Sequence, residues 1–223
     1  MTAHRAPTEE RVVDALLSRH GRTFAAEAGI RLGRNTPAPL FQLLCLSLLV
    51  SARISAGIAV AATRALFDAG WTTADKMAEA TWEERTRVLN RSGYARYDES
   101  TSAYLASTAS LVVERYRGDL RRMRVEADGD LDRLRSRLTD CKGIGGVGAD
   151  VFVREVQAVW LEYVPFVDDR TLGVAATLGL PSSAAGLRVT VDDVGTFARL
   201  VAALVRTGLE RDQEAILEEA GMR

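Results

Sequence analysis

One segment of the chain is apolar on nearly every side. Residues 40–52, LFQLLCLSLLVSA, are interrupted only by Gln42, Ser47 and Ser51. A surface helix of a globular protein carries an apolar stripe and a polar face, whereas a helix that is apolar all round is buried. The run around 43–50 is too short to cross a bilayer. The segment therefore predicts a central buried helix and no membrane span.

The rest of the chain repeats its apolar residues at helical spacing. Helices are predicted at 8–21, 55–70, 97–118, 130–141, 148–160, 170–179, 191–208 and 210–221. Two short helices are predicted within 72–93, with Thr72 or Thr73 and Thr81 as N-caps. A loop containing Pro37 and Pro39 precedes the apolar helix, and LRVTV (187–191) is the only short candidate for a strand. The pattern predicts an all-α fold.

Composition is that of a globular protein without disulfides. The chain has 223 residues, which is enough for one domain or two small ones. Its hydrophobic content of 47% is ordinary for a globular protein. The two cysteines, Cys45 and Cys141, lie far apart, which argues for a reducing compartment. The first residues lack the apolar centre of a signal peptide. We therefore expect a cytoplasmic protein. Its oligomeric state cannot be read from the sequence, and we favour a monomer.

A glycine hairpin stands between two of the predicted helices. Gly143-Ile144-Gly145 can turn tightly, and Gly148 follows at the start of the next helix. Free N–H groups and the positive end of the helix dipole suit a phosphate there. We expect the main chain of Gly143, Gly145 and Gly148 to face a phosphate or a bridging monovalent cation. The alternative is a glycine turn between two packed helices that binds no ligand.

Charge is distributed unevenly along the chain. The formal net charge is only −1, which counts mildly against nucleic-acid binding. Residues 115–142, which lead into the hairpin, hold nine basic and six acidic side chains, whereas residues 210–223 carry a net charge of −3. The basic stretch favours a surface that faces DNA. Its alternating signs are equally typical of a solvated helix.

Three segments resemble the helix-hairpin-helix DNA glycosylases of the endonuclease III superfamily. PAPLFQLLCLSLLVSARIS (37–55) resembles the first barrel helices of that family. LNRSGYARYDESTSAYLASTASLV (89–112) resembles a second family segment. LTDCKGIGGVGADVFVREV, followed by FVDDRTLGVAATLGLP, resembles the family's hairpin, helix and V-D element, with Lys142 where the family has Pro. The order and spacing of these segments carry the resemblance.

The resemblance implies an organisation into two helical lobes with DNA bound between them. Residues 37–163 would form a six-helix barrel that contains the hairpin, at about 142–148. Residues 1–36 and 164–223 would form the second lobe. DNA-contacting residues carried over from the family are Lys142, Gly143, Ile144, Gly145 and Gly148. Arg53, where the family has Gln, would fill the gap left by a displaced base, or else be a surface arginine at the end of a helix. The resemblance also implies a nucleoid-associated protein.

Two departures from the family pattern limit the chemistry that we expect. Bifunctional members form a Schiff base through a lysine, and Val147 occupies that position here. We take Val147 to be buried, and its side chain cannot act as a nucleophile. Many members also bind an iron–sulfur cluster through four cysteines near the C-terminus, and this chain has none after Cys141. We expect no cluster and no strand cleavage.

Asp168 occupies the position of the family's catalytic carboxylate. The resemblance implies a monofunctional glycosylase that acts on double-stranded DNA with a damaged or mispaired base, and Asp168 would stabilise the sugar cation. Its alternative role is N-cap of the next helix, although Asp169 could equally be that cap. Side chains that would line a base pocket, or else serve in core packing, are Tyr94, Tyr97, Trp160 and Tyr163.

The sequence is also compatible with two other functions. The first is a non-catalytic DNA-binding protein on the same scaffold, in which Asp168 only caps its helix. The second is a protein-interaction module that uses the acidic C-terminus. An Asp168 that is exposed in a cleft, near the hairpin and away from the free N–H groups of its helix, would favour catalysis. A buried or fully capping Asp168 would favour the non-catalytic protein.

Overall fold

The structure, a computed structural model, describes residues 7–222 and is built from helices. Among these residues there are fourteen α-helices, two short 3-10 helices and no strand, so the all-α prediction is confirmed. No helix in the described range is long and apolar enough to cross a bilayer. The chain divides into two compact units, one of residues 25–159 and one of the chain up to Phe24 together with the chain from Trp160.

The middle unit holds most of the helices. They are α2 (Phe24–Glu27, which begins at the unit boundary), α3 (Pro37–Val50), α4 (Ala56–Asp68), α5 (Ala74–Glu79), α6 (Trp82–Arg91), α7 (Asp98–Tyr116), α8 (Arg121–Ala127), α9 (Leu131–Thr139) and α10 (Gly146–Val156), with a 3-10 turn at Leu32–Arg34. Nearly every residue of α3 from Pro39 to Leu49 is buried, as predicted for the apolar segment. Thr73 and Thr81 cap α5 and α6.

The terminal unit has its own core. Its elements are α1 (Pro7–His20), α11 (Asp169–Thr177), α12 (Ala184–Arg188), α13 (Val194–Glu210) and α14 (Gln213–Glu219), with a 3-10 turn at Leu161–Tyr163. Leu16 of α1, Ala175 of α11 and Leu200 of α13 belong to one cluster of buried apolar side chains. The first six residues of the predicted terminal lobe lie outside the described range, and the barrel arrangement of the middle lobe stays a prediction.

Two local expectations are corrected. Pro37 and Pro39 do not lie in a loop but in the first turn of α3, where proline's missing N–H costs no helical hydrogen bond. The candidate strand at 187–191 is the end of α12 and a following turn. There the Thr190 hydroxyl donates to the Leu187 carbonyl at 2.8 Å, and Arg188 donates to the Val191 carbonyl at 2.8 Å. These local bonds satisfy the backbone without a neighbouring strand.

Candidate nucleic-acid interface

The glycine hairpin joins α9 to α10. Gly143 has a φ of +91°, a conformation that side chains rarely tolerate, so the chain can reverse at this point. The amide of Ile144 donates to the Cys141 carbonyl at 3.0 Å and closes the turn. The Ile144 side chain is buried, which anchors the hairpin. Ile144 therefore supports the turn from within, and the exposed residues of the segment 142–145 are Lys142, Gly143 and Gly145.

The first turn of α10 has backbone amides that no capping side chain occupies. Gly145 is the N-cap and offers no side chain to cap the helix. Among the described residues, no acceptor pairs with the amides of Gly145, Gly146, Val147 or Gly148, and the first bonded amide is that of Ala149. Nothing lies within 4 Å of a Cβ placed on Gly145 or Gly146. Unpaired amides at an open helix N-terminus form an anion-binding surface.

Gly148 serves helix packing and does not face outward as expected. It is buried, and a Cβ placed on it would lie 3.1 Å from Cγ2 of Ile144 and 3.3 Å from Cβ of Ser51. The absent side chain lets α10 approach the end of α3 closely. This contact places the turn after α3, which carries the exposed Arg53, beside the first turn of α10.

The expected burial of Val147 is wrong. Its side chain is 66% exposed, because it is the second residue of α10 and projects from the free end of the helix. An apolar side chain there still offers no amine or carboxylate. The exclusion of an imine at this position therefore rests on the chemistry of valine and not on its burial.

Asp168 is the N-cap of α11. Its Oδ1 accepts from the amide of Thr171 at 3.2 Å, and its Oδ2 accepts from the Thr171 hydroxyl at 2.9 Å. The alternative in which Asp169 is the cap is wrong, because Asp169 is the first helical residue. Asp168 is half-buried and Thr171 is buried, so the carboxylate is held in one orientation. The capping interpretation of Asp168 is thus confirmed, and by the criterion given above this outcome favours the non-catalytic protein.

Three of the four proposed pocket aromatics are buried. Tyr94 is fully buried in the middle unit and donates its hydroxyl to the Leu49 carbonyl at 2.9 Å. Burial raises the pKa of Tyr94 to about 12. Trp160 is fully buried in the terminal unit, and Tyr163 beside it is also buried. Tyr97 alone is half-exposed, with the guanidinium carbon of Arg96 5.3 Å from its ring centroid.

Much of the positive charge in 115–142 is neutralised within the fold. Five arginines of the stretch form ion pairs with Asp or Glu side chains: Arg115, Arg121, Arg133, Arg135 and Arg137. Arg135 pairs with Asp150 of α10 at 2.9 Å, so it ties the two helices of the motif together. The interpretation of the stretch as a solvated, salt-bridged helix surface therefore accounts for these five side chains.

Both cysteines are free and buried. Burial, followed by the charge of Asp140, raises the pKa of Cys141 to about 12. Burial also raises the pKa of Cys45 well above its ordinary value. Thiols in this state are poor nucleophiles and poor metal ligands. The absence of an iron–sulfur cluster stays a prediction.

Sequence reasoning missed Tyr104 of α7, whose ring lies against Gly143. The residue shows no motif and stands in an ordinary amphipathic helix, so only the packed structure reveals the contact. It also missed a cluster in the terminal unit, where His20 Nε2 lies 2.8 Å from Asp212 Oδ2 and 4.0 Å from Glu210 Oε2. Arg19 donates to the same Asp212 oxygen at 2.9 Å.

No family model matches the chain, and no curated protein matches it. Among solved structures, the chain is similar to a trapped covalent intermediate of endonuclease III with DNA, an estranged-adenine complex. The two chains are 17% identical over 77% of this chain and 73% of the other, with a TM-score of 0.47. At that score the similarity alone establishes neither the fold nor an activity.

Proposed function

We propose that this chain binds double-stranded DNA through the hairpin and acts on it as a monofunctional DNA glycosylase. The observation that carries the binding proposal is the set of unpaired amides at the glycine-lined start of α10. Such a site holds a phosphate oxygen by hydrogen bonds and by the helix dipole. The exposed Lys142 adds a positive charge next to it.

Binding of this kind is independent of base sequence, because phosphate contacts position a protein without reading bases. Gly145→Asp tests it. Asp is a good N-cap, so α10 should persist, while its carboxylate repels a phosphate and occupies the amides. We expect roughly tenfold weaker binding to every duplex, the equivalent of one lost ionic contact. Fluorescence anisotropy with labelled duplexes of unrelated sequence measures this effect.

A control keeps the added charge away from the hairpin. Gly33 is exposed, and nothing lies within 4 Å of a Cβ placed on it, so Gly33→Asp should leave the affinity nearly unchanged. Equal affinities of the wild type and Gly145→Asp, with circular dichroism showing both folded, would remove the hairpin from the DNA-binding surface.

A monovalent cation on the carbonyls of Gly143 and Gly145 is also proposed. The Gly145 carbonyl already accepts from the Ala149 amide, which still leaves it a second lone pair.

The chemical part of the proposal assigns the hydrolysis to Asp168. In that reaction the bond between the sugar's anomeric carbon and the base breaks, and the base leaves with the electron pair and takes up a proton. The hydroxyl of a water molecule joins the anomeric carbon. A carboxylate stabilises the cationic sugar and orients or deprotonates the water. The assignment rests on the match of Val167-Asp168 to the family's V-D element. The bonds to Thr171 fix the orientation of the carboxylate.

A second candidate is a DNA-binding protein without catalysis. The observation that favours it is the same pair of bonds, since a carboxylate that caps α11 has a structural reason to be present. The chain contains a matched comparison. Asp193 caps α13 with the same pattern, accepting from the Thr196 amide at 2.9 Å and from its hydroxyl.

The pair Asp168→Asn and Asp193→Asn separates the two candidates. Asparagine caps helices nearly as well as aspartate, so both variants should fold and bind duplex DNA. On a panel of duplexes with one lesion each, we expect the wild type and Asp193→Asn to form abasic sites. Asp168→Asn should lose at least 100-fold of that rate, a typical loss for a group that stabilises a transition-state charge. If the wild type releases no base from a broad panel, the non-catalytic function replaces the glycosylase.

Strand cleavage is not part of the proposed reaction. Val147 stands where the family's lyase lysine would be, so borohydride should trap no protein–DNA adduct. Strands should break only after alkali or heat. The proposed wedge at a displaced base is Arg53, which is exposed. The proposed stacking residue of the base pocket is Tyr97, which is half-exposed.

A further inference from the structure

The main chain of the hairpin rests on the ring of Tyr104. A Cβ placed on Gly143 would lie 2.6 Å from Cδ2 and 2.9 Å from Cγ of that ring, closer than Cβ atoms approach other atoms. Gly143 is therefore required both by its φ of +91° and by the ring beside it. Tyr104 belongs to α7 and is half-buried, so one part of the ring supports the hairpin and another faces outward.

Two further contacts tie Lys142 to the same face of α7. Its ammonium nitrogen lies 5.9 Å from the centroid of the Tyr104 ring, within the range of a cation–π interaction. Its carbonyl accepts from the hydroxyl of Thr108 at 3.5 Å, a long hydrogen bond. Tyr104 and Thr108 are four residues apart and so lie one above the other on α7. The hairpin is thus held from beneath at two consecutive residues.

We propose that Tyr104 is a positioning residue of the hairpin, whose ring fixes the turn and directs the Lys142 ammonium toward a phosphate. The support of the turn is a property of the free protein, and only the phosphate step rests on the proposed function. A pre-arranged site avoids the entropic cost of ordering the turn and the lysine when DNA arrives. A glycine has no side chain that could hold the turn in place, so the ring of Tyr104 supplies the packing contact.

The ring, and not the hydroxyl, carries this role. Among the described residues the Tyr104 hydroxyl forms no hydrogen bond, whereas the ring carbons pack against Gly143 of the hairpin. Tyr104→Phe should therefore behave as the wild type. Tyr104→Leu keeps bulk beneath Gly143 but removes the aromatic face, and Tyr104→Ala removes both. The series separates the support of the turn from the attraction for Lys142.

Hydrogen exchange on the free protein tests the support. The amide of Ile144 reports on the turn because it donates to the Cys141 carbonyl at 3.0 Å. We expect its exchange to be unchanged in Tyr104→Phe, slightly faster in Tyr104→Leu and roughly tenfold faster in Tyr104→Ala. Ser107→Ala, which changes an exposed position of the same helix α7, is the control and should have no effect. Equal exchange in Tyr104→Ala and the wild type would overturn the supporting role.

Titration of a duplex at several salt concentrations tests the phosphate step. Lys142→Gln should lower the slope of log affinity against log salt by about one, as loss of a phosphate contact does. Tyr104→Ala should weaken binding by roughly threefold to tenfold, and Tyr104→Leu by roughly threefold. Both effects should shrink in a Lys142→Gln background, since the ring then has no ammonium to direct.

The outcomes distinguish this inference from the proposed function. If Gly145→Asp weakens binding while Tyr104→Ala binds as the wild type does, the role of Tyr104 in DNA binding is wrong and the hairpin site stands. If the wild-type protein binds no duplex, the proposed function is wrong, and the exchange measurement alone decides whether Tyr104 holds the turn. If Tyr104→Phe is as defective as Tyr104→Ala, the ring is not the operative group.

Discussion

At the scale of single residues, the glycines of this chain differ in what a side chain would meet. A Cβ on Gly148 would press on Ile144 and Ser51, at 3.1 and 3.3 Å, in the contact between α10 and α3. Gly173 lies within α11, is exposed, and has nothing within 4 Å of the same position. Because both glycines lie inside helices, the comparison isolates crowding from helix propensity.

Gly148→Leu should destabilise the protein by about 2 kcal/mol, because overpacking forces the two helices apart. Gly173→Leu should be neutral or slightly stabilising, since leucine is the better helix former. Urea denaturation followed by circular dichroism measures both. A Gly148→Leu protein as stable as the wild type would mean that α10 and α3 can separate without cost, against the close packing described here.

Asp168 shows what a sequence can and cannot decide about one residue. The sequence identified it both as a cap and as a catalytic carboxylate, because an aspartate before a helix satisfies both descriptions. The structure settles the cap, through the amide and hydroxyl of Thr171. Val147 was misjudged for a related reason. Its exposure depends on the helix beginning at Gly146, and helix boundaries are the least certain feature of a sequence.

At the scale of elements, the helices were predictable because their apolar residues recur at a helical period. The buried α3 and the amphipathic α7 were both found from this pattern, and the threonine caps of α5 and α6 were found from local chemistry. The short elements were not. The segment at 187–191 has strand-like residue types, but it lacks a neighbouring strand and is stabilised by bonds within its own turn.

The hairpin motif depends on contacts between elements, and these are invisible in the sequence. Glycines alone predicted a tight turn with free amides, which the start of α10 has. The Tyr104 ring that packs against Gly143 belongs to α7, almost forty residues earlier in the chain. The pairing of Arg135 with Asp150 likewise joins α9 to α10 and removes a charge that the sequence left available for DNA. Such pairings need three-dimensional proximity.

At the scale of the whole molecule, several carboxyl groups have pKa values below their ordinary range. Hydrogen bonds from Thr81 lower the pKa of Glu84, and a bond from Arg121 lowers that of Asp119. A bond from Thr196 lowers the pKa of Asp193. At Asp212 burial acts to raise the pKa, but the bonds from His20 and Arg19 outweigh it and lower the value. Both compact units therefore contain such groups.

These shifts predict that the protein loses stability in acid. A carboxyl whose pKa is lower in the folded state binds fewer protons there than in the unfolded chain. The unfolded values lie near 4, so the stabilisation is complete above that pH and is lost as the pH falls through the lower folded values. We expect the melting temperature to fall steeply below about pH 4. Differential scanning fluorimetry from pH 7 to pH 2 measures the curve.

Asp212→Asn assigns part of that acid response to one group. Oδ2 of Asp212 lies 2.8 Å from Nε2 of His20 and 2.9 Å from Nε of Arg19. These contacts connect the end of α1 to the start of α14. Removing its charge should lower the stability at pH 6 by on the order of 1 kcal/mol, the upper value for partly exposed pairs. The variant and the wild type should converge near pH 2, where the wild-type carboxyl is protonated as well. Asp68→Asn, an exposed carboxylate without an ion pair among the described residues, should follow the wild-type curve. If the Asp212→Asn curve runs parallel to that of the wild type down to pH 2, the tether does not contribute to the acid response.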